Sequence, residues 1–211
     1  MTPKTFFSTA RSSRRAVLAA AITTASLLGA CAPLLIGGAM VGTALSVTDR
    51  RTGGAQLEDQ AIELKAIGRL REAVGSEANV SVTSYNRTVL ITGEVPSEAA
   101  RVAAEQTLAR IENVRATVNE LAVMGSTTLA ARSNDAILSS KVKAAFVDAK
   151  DLQANALKVV AERGSIYLMG RVSEREANRA TELARATSGV GKVVRVFEIL
   201  SDAELAALQS K

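Results

Sequence analysis

The sequence predicts an α+β protein of two tandem modules, because one pattern of turn, strand, glycine and helix start occurs twice, 77 residues apart. The first copy begins at Asn86 and the second at Arg163, and Gly93 and Val95 of the first match Gly170 and Val172 of the second. In both copies the hydrophobic period switches between helix and strand in the same order, αββαβ. A right-handed crossover would place the second and third strands in parallel. Each module is therefore expected to be a three-stranded mixed sheet packed against two helices.

In the first module, residues 58–74 are predicted to form a helix with a buried apolar arc. That arc comprises Leu57, Ala61, Leu64, Ile67 and Val74. Alternation around 80–82, a turn at 85–87 and the β-branched run 88–92 predict a hairpin. Ser97 is predicted to cap the next helix. The buried stripe of that helix comprises Ala100, Ala104, Leu108 and Ile111. Residues 114–123 form the predicted third strand.

The second module repeats this plan. A helix is predicted over 135–149, a hairpin over 157–161 and 165–169, and a last strand over 193–200. Ser173 and Glu176 are spaced as a capping box at the start of the second helix of this module. A short helical tail follows Ser201.

These elements divide the chain into six segments. Residues 1–30 are read as a signal peptide and 31–56 as a flexible tether rich in small residues. Residues 57–124 form the first module, 125–131 a linker, 132–200 the second module and 201–211 the tail.

The N-terminus has the features of a bacterial export signal: four basic residues, an apolar stretch and the closing sequence Leu28-Gly29-Ala30-Cys31. This closing sequence resembles the lipobox of bacterial lipoproteins, which implies that Cys31 is acylated and becomes the first mature residue. The next residue is Ala32 and not Asp, which in such lipoproteins implies retention at the outer membrane rather than the inner membrane. Two alternatives remain open: an ordinary Cys31, with the uncharged run 16–48 as an uncleaved anchor, and twin-arginine export in place of the general secretory route.

Composition argues against most enzyme classes. The chain has no histidine and one cysteine, so it lacks the side chains for a Ser-His-Asp triad, a Cys-His pair or a Cys/His zinc site. We expect no enzyme activity, no metal and no cofactor. Removing residues 1–30 leaves 22 basic and 21 acidic residues. With this near-neutral balance and few aromatic residues, we expect no nucleic-acid binding.

Gly93 and Gly170 each end a predicted central strand. A strand glycine marks a bulge, a close packing contact or a point where a ligand approaches. We assign both glycines a structural role, with ligand approach as the alternative.

These two modules resemble BON domains, and two of them behind a lipobox resemble the dual BON-domain outer-membrane lipoproteins. The most specific stretches are 166–177 and 188–194, whereas Glu112-Asn113-Val114 stands where a Gly-Val pair is more usual. The resemblance implies a periplasmic protein that binds anionic phospholipid, supports envelope integrity and, in some members, concentrates at the division site. It also implies lipid contact through the first helix of the second module, here residues 134–143.

Charge and helical periodicity point to the same helix. Residues 57–124 hold 7 basic and 10 acidic residues, whereas 132–200 hold 12 basic and 8 acidic. On a helical wheel, the predicted core face of this helix comprises Leu138, Val142, Ala145, Phe146 and Ala149. The remaining strip is the candidate lipid-binding site: Ile137, Ser140, Lys141, Lys143, Ala144 and Val147. Packing of this strip against the first module or the tail helix is the alternative.

The sequence thus predicts an outer-membrane-anchored lipoprotein facing the periplasm, which binds anionic phospholipid such as phosphatidylglycerol or cardiolipin through its second module. The alternative is an adaptor that docks an envelope assembly, cell-wall or division protein. Partner identity, headgroup preference and oligomeric state are left open by the sequence.

Overall fold

The computed structural model describes residues 49–209. The predicted signal peptide, Cys31 and most of the predicted tether lie outside the described residues. The helices and strands in chain order are α1 (Gly53–Val74), β1 (Asn79–Tyr85), β2 (Thr88–Val95), α2 (Glu98–Ala109), β3 (Ala116–Val123), α3 (Leu129–Asp148), β4 (Leu157–Glu162), β5 (Ser165–Val172), α4 (Glu174–Ala186), β6 (Lys192–Ile199) and α5 (Asp202–Gln209). Among these helices, none combines the length and the hydropathy needed to cross a membrane.

The sheets have the predicted topology, and the α+β fold class is confirmed. The first sheet has the order β1-β2-β3 and the second β4-β5-β6. In each sheet the hairpin strands are antiparallel, and the strand that follows the crossover helix is parallel to the central one. The predicted capping box is present, since the Ser173 hydroxyl accepts from the Glu176 amide and the Glu176 carboxylate accepts from the Ser173 amide.

Each module has a hydrophobic core between its helices and one face of its sheet. In the first module, Ile62 and Leu70 of α1 and Leu108 of α2 pack against Val89 and Ile91 of β2. In the second, Leu138 and Phe146 of α3 pack against Ile166 and Leu168 of β5. Successive strand residues point to opposite faces of a sheet, so Leu90, Tyr167 and Met169 point away from these cores.

The two sheets pack against each other through those opposite faces. Tyr85, Leu90, Tyr167 and Met169 are all buried in one cluster that draws residues from both modules. The Tyr85 hydroxyl donates to the carbonyl of Ala156 at 3.2 Å. Helices therefore form the two outer layers and sheets the two inner ones, with α1 and α2 on one side of the molecule and α3 and α4 on the other.

A buried aspartate on the first helix of each module holds the hairpin turn of that module. The Asp59 carboxylate accepts from the backbone amides of Asn86 and Arg87 at 2.8 and 2.7 Å. The Asp135 carboxylate does the same for the turn at 163–164, at 2.8 Å to each amide. All four turn residues have positive φ, from 47° to 71°, which is the conformation of a two-residue hairpin turn. The aspartates thereby fix the rotation of their helices over the sheets.

The apolar arc predicted for α1 is wrong. Ile62, Ala66 and Leu70 are the buried apolar residues of the helix, whereas Leu57 and Leu64 are 69% and 73% exposed. Ile67 is 49% exposed, and Ala61 and Val74 are partly buried. The helix carries two apolar stripes. Because Asp59 binds the hairpin of β1 and β2, the stripe that contains Ile62 faces the core.

Both first helices also begin earlier than predicted. α1 starts at Gly53, after an N-cap at Thr52, and α3 starts at Leu129, after an N-cap at Thr128. In each case the threonine side chain accepts from an amide in the first turn. Residues 53–56 of the predicted tether and 129–131 of the predicted linker are therefore helical.

The segment before α1 docks on the second module. Arg50 is 8% exposed and makes two hydrogen bonds of 2.7 and 2.8 Å to the Glu176 carboxylate. It also donates to the Gln153 side chain and to the carbonyl of Arg171, both at 2.8 Å. The next residue, Arg51, stacks on the Tyr85 ring at 4.2 Å from its centroid. The predicted tether thus ends in an ordered contact between the two modules.

Gly93 and Gly170 sit where a neighbouring backbone approaches closely. A Cβ on Gly93, whose φ is +115°, would lie 2.0 Å from the carbonyl oxygen of Asn79 on the paired strand β1. A Cβ on Gly170 would lie 2.6 Å from the carbonyl oxygen of Ala156. Both contacts are between backbone segments of one module, and both exclude a side chain.

Candidate functional site

The candidate site is the solvent-facing side of α3. Leu138, Val142 and Phe146 point into the second core and are 6%, 0% and 1% exposed, which confirms the predicted core face of the helix. With that face fixed, the helical period turns the predicted lipid-binding residues outward.

We define the α3 outer face as Ile137, Ser140, Lys141, Lys143, Ala144 and Val147. All six residues are exposed, with Ile137 at 55% and Val147 at 71%. Neither of these two side chains is covered by the first module or by α5. A helix with a filled core face therefore presents two large apolar side chains to solvent.

Part of this face forms a shallow depression. It is lined by Ala136, Ile137, Ser140, Lys141 and Ala144. Lys143 and Val147 lie outside the depression, on its flank. The Ser140 hydroxyl donates to the carbonyl of Ala136 at 2.9 Å, so its proton is used within the helix. The depression is mainly apolar and is bordered by a lysine.

The lysines of the α3 outer face differ from half of the basic residues of the second module. Neither Lys141 nor Lys143 forms an ion pair with any residue that the structure describes. By contrast, six other basic residues of this module are paired with carboxylates: Lys158, Arg163, Arg171, Arg179, Lys192 and Arg195. Six of the 12 basic residues of this module therefore lack an ion pair in the described chain, and two of these six, Lys141 and Lys143, lie on the α3 outer face with the exposed apolar residues.

A second recess adjoins the N-terminal end of the same face. It has a volume of about 440 Å³ and shares Ile137 and Lys141 with the α3 outer face. Arg163, Ser188 and Gly189 close its other side. Asp135 also lines it, but its two carboxylate oxygens accept from the hairpin amides. Sequence reasoning missed this recess because the loops that form it are distant in the chain.

Two buried carboxylates lie at the junction of the modules rather than at this site. Burial raises the pKa of Glu94, but hydrogen bonds from Asn79, Thr127 and Arg163 outweigh burial and lower it overall. The pKa of Glu162 is raised, first by burial and then by the charge of Glu94. Within residues 49–209, no group of three or more metal-ligating side chains is placed to hold a metal ion. These carboxylates contribute to packing between the modules.

Comparison with known proteins identifies both modules. A protein-family model described as the BON domain matches residues 58–125 and 134–201. The outer membrane lipoprotein DolP of Haemophilus influenzae is 35% identical over 185 residues, which cover 83% of this chain and 95% of that protein. The 21 kDa hemolysin of Actinobacillus pleuropneumoniae is 29% identical over 151 residues, covering 71% and 78%.

A solved structure of CdsD, a structural protein of the type III secretion system of Chlamydia trachomatis, aligns with 69% of this chain and 97% of its own. The identity is 10% and the TM-score 0.28, values too low to carry an argument.

Proposed function

This chain belongs to the dual BON-domain lipoprotein family, and from that premise we propose that it is an outer-membrane-anchored periplasmic protein that binds anionic phospholipid through the α3 outer face. Binding of phosphatidylglycerol or a cardiolipin-like lipid at this face supports the integrity of the cell envelope. The protein works by binding, without an enzymatic reaction or a cofactor.

The observation that carries the proposal is the composition of the α3 outer face. Ile137 and Val147 are exposed large apolar side chains, and Lys141 and Lys143 beside them have no carboxylate partner in the described chain. An interfacial helix combines an apolar face buried at the headgroup boundary with lysines that meet anionic headgroups. Each lysine near such a surface contributes about 1 kcal/mol of attraction.

The proposed location rests on the N-terminus and on the relatives. Leu28-Gly29-Ala30-Cys31 has the form of a lipobox, and a relative that covers most of the chain is named an outer membrane lipoprotein. Acyl chains on Cys31 anchor the protein, because each buried methylene contributes about 0.8 kcal/mol. Enrichment at the division site is part of the proposal and follows from the family resemblance.

Vesicle sedimentation tests the lipid-binding site. The chain from residue 32 onward, made without acyl groups, is expected to sediment with phosphatidylglycerol vesicles and not with neutral ones. Replacing Lys141 and Lys143 together with glutamate should weaken this binding and reduce its salt dependence, because exposed charges are screened within about 10 Å at 0.1 M salt. Both side chains are exposed, so folding should be retained.

A matched control replaces Arg110 and Arg115 of the first module with glutamate. These residues are exposed and have no ion pair within residues 49–209, so the change in net charge is the same. The control should bind anionic vesicles almost as well as the wild type. Equal loss in both double variants would show attraction by net charge alone and would reject the assignment to the α3 outer face.

A further inference from the structure

The outer face of α1 is a second apolar surface that no other element of residues 49–209 covers, and the proposed lipid contact does not use it. We define the α1 outer face as Leu57, Ala61, Leu64, Ile67 and Gly68. Leu57, Leu64 and Ile67 are 69%, 73% and 49% exposed. When α1 and α3 are aligned on their turn-binding aspartates, Asp59 and Asp135, these three residues correspond to Ser133, Ser140 and Lys143 of α3. The two modules thus present different chemistry at the same position of the fold.

The layered fold separates this face from the proposed lipid contact. α1 belongs to the outer helix layer of the first module and α3 to the outer helix layer on the other side of the paired sheets. A flat bilayer that contacts the α3 outer face therefore does not reach Leu57 and Leu64. Lipid contact at the α3 outer face thus leaves the α1 outer face available to a protein surface.

The spacing on α1 indicates that this occupant is another helix. Leu57, Ala61, Leu64 and Gly68 follow one another at intervals of four, three and four residues, which is the spacing of residues in a two-helix seam. Large and small side chains alternate along it, and a Cβ on Gly68 would meet nothing within 4 Å. A facing helix can place its own large side chains over Ala61 and Gly68.

The same seam is complementary to itself when two copies run antiparallel. With Ala61 opposite Leu64 of a second copy, Leu57 lies opposite Gly68 of that copy, and both contacts occur twice by symmetry. Each layer then joins one leucine with one small residue. This is the arrangement expected of an isologous interface, in which the same patch serves both subunits.

Charge supports the same register. Glu58 and Lys65 flank the seam on one side, and the antiparallel arrangement places Glu58 of each copy opposite Lys65 of the other. Lys65 has no ion pair within residues 49–209. From the described part of the chain, the Glu58 side chain accepts a single hydrogen bond, at 3.0 Å from the Asn113 side chain. Residues at these flanking positions set partner choice and orientation in helix pairs.

We propose that the protein forms a homodimer through antiparallel pairing of the α1 outer faces of two copies. The contact involves one helix from each subunit, so it lies at the small end of interface sizes, below about 1,200 Å² in total, and is reversible. Anchoring both copies in one membrane raises their effective concentration and favours the pair. The inference goes beyond the proposed lipid binding and does not depend on it.

Sedimentation velocity in the absence of lipid tests the dimer. The chain from residue 32 onward contains all the residues that the structure describes, 49–209, and we expect its mass to move from monomer to dimer as concentration rises. Leu64→Lys should weaken the dimer at least about tenfold, since it places a charge in the centre of the contact. Leu129→Lys, which changes a leucine 79% exposed outside this face, should leave the dimer unchanged.

A charge exchange tests the register. Glu58→Lys and Lys65→Glu should each weaken the dimer by placing like charges opposite one another, and the double variant should restore it. A monomer at every concentration would overturn the proposal, as would a dimer insensitive to Leu64→Lys. Failure of the double variant to recover would reject the antiparallel register. None of these outcomes depends on lipid binding, so the two proposals fail separately.

Discussion

Exposure of single side chains on α3 separates residues that hold the fold from residues available for lipid. Phe146 is 1% exposed within the second core, whereas Val147, the next residue, is 71% exposed. Burial of such a side chain contributes about 1.5–3 kcal/mol, and only Phe146 makes that contribution inside the protein. The same apolar chemistry therefore has different consequences at adjacent positions.

Replacing Ile137 and Val147 with serine should leave the melting temperature almost unchanged while vesicle affinity falls by about one power of ten or more. The physical reason is that these side chains are buried in the lipid interface and not in the protein core. Their loss therefore makes the free energy of binding less favourable, and each change of about 1.4 kcal/mol corresponds to a tenfold change in affinity. Thermal unfolding and vesicle sedimentation on the same samples measure both quantities.

Two controls accompany this pair. Phe146→Ser should lower stability by about 3–5 kcal/mol. Val102→Ser, at a position on α2 that is 44% exposed, should change neither quantity. If the Ile137 and Val147 variants were stable and bound vesicles normally, lipid contact at this helix would be excluded. Failure of those same variants to restore envelope integrity in cells would then favour the adaptor function.

At the scale of elements, the segment before α1 is joined to the start of α4 by a buried ion pair. The side chains of Arg50 and Glu176 are 6% and 9% exposed, and their closest atoms are 2.7 Å apart. The hydrogen bonds from Arg50, against the effect of burial, hold the pKa of Glu176 below its usual value. Glu176 also completes the capping box of α4, so one carboxylate serves two elements.

Arg50→Ala should destabilise the protein by about 3 kcal/mol at neutral pH, because it leaves a buried carboxylate without its cation. A lowered pKa contributes stability that is present above the unfolded value of about 4.3 and is lost as pH falls through the folded pKa. The difference in the free energy of unfolding between the wild type and Arg50→Ala should therefore become smaller below about pH 4. Denaturant unfolding at a series of pH values measures this difference.

Arg195→Ala is the matched control for this pair. It removes the ion pair between Arg195 and Glu174, which also lies at the start of α4 but has side chains 37% and 60% exposed. Exposed pairs contribute about 0–1 kcal/mol. Equal effects of the two substitutions, or an Arg50→Ala effect independent of pH, would contradict the role assigned to the buried pair.

At the scale of the whole molecule, the four-layer fold places the two surfaces proposed for different partners on opposite sides. Its two outer helix layers present the α3 outer face on one side and the α1 outer face on the other. The proposed lipid contact of the second module and the proposed dimer contact of the first are therefore compatible with each other. This separation requires an anchor outside both modules, which Cys31 is proposed to supply.

Cys31→Ser should abolish acyl labelling and block maturation, since Cys31 is the only cysteine in the chain. The substituted protein is expected to accumulate as precursor or to be lost from the outer-membrane fraction. Metabolic labelling with a fatty acid and membrane fractionation measure these outcomes. If the variant kept its normal size and still fractionated with the outer membrane, the uncharged run 16–48 would be the anchor.

The hydrophobic periodicity of the sequence identified the helices and strands, because most of them have a single clear set of apolar residues to bury. On α3, the residues Leu138, Val142 and Phe146 are the only strong apolar stripe, so their burial and the exposure of Ile137 followed from the helical repeat. On α1 two stripes compete, and the helical period alone does not rank them. Asp59 decides between them by accepting from two amides of a turn about 27 residues away in the chain.

The sequence by itself determined the two αββαβ modules, the strand directions and the faces of α3, since these depend on local periodicity, turn residues and the handedness of crossovers. The tertiary structure alone decided which stripe of α1 is buried, that the sheets of the two modules pack together, and that Arg50 joins the second module. These contacts link residues as far as 126 positions apart, as Arg50 and Glu176 are. Local patterns carry no information on such pairs, because their energy arises only when distant segments exclude water from one another.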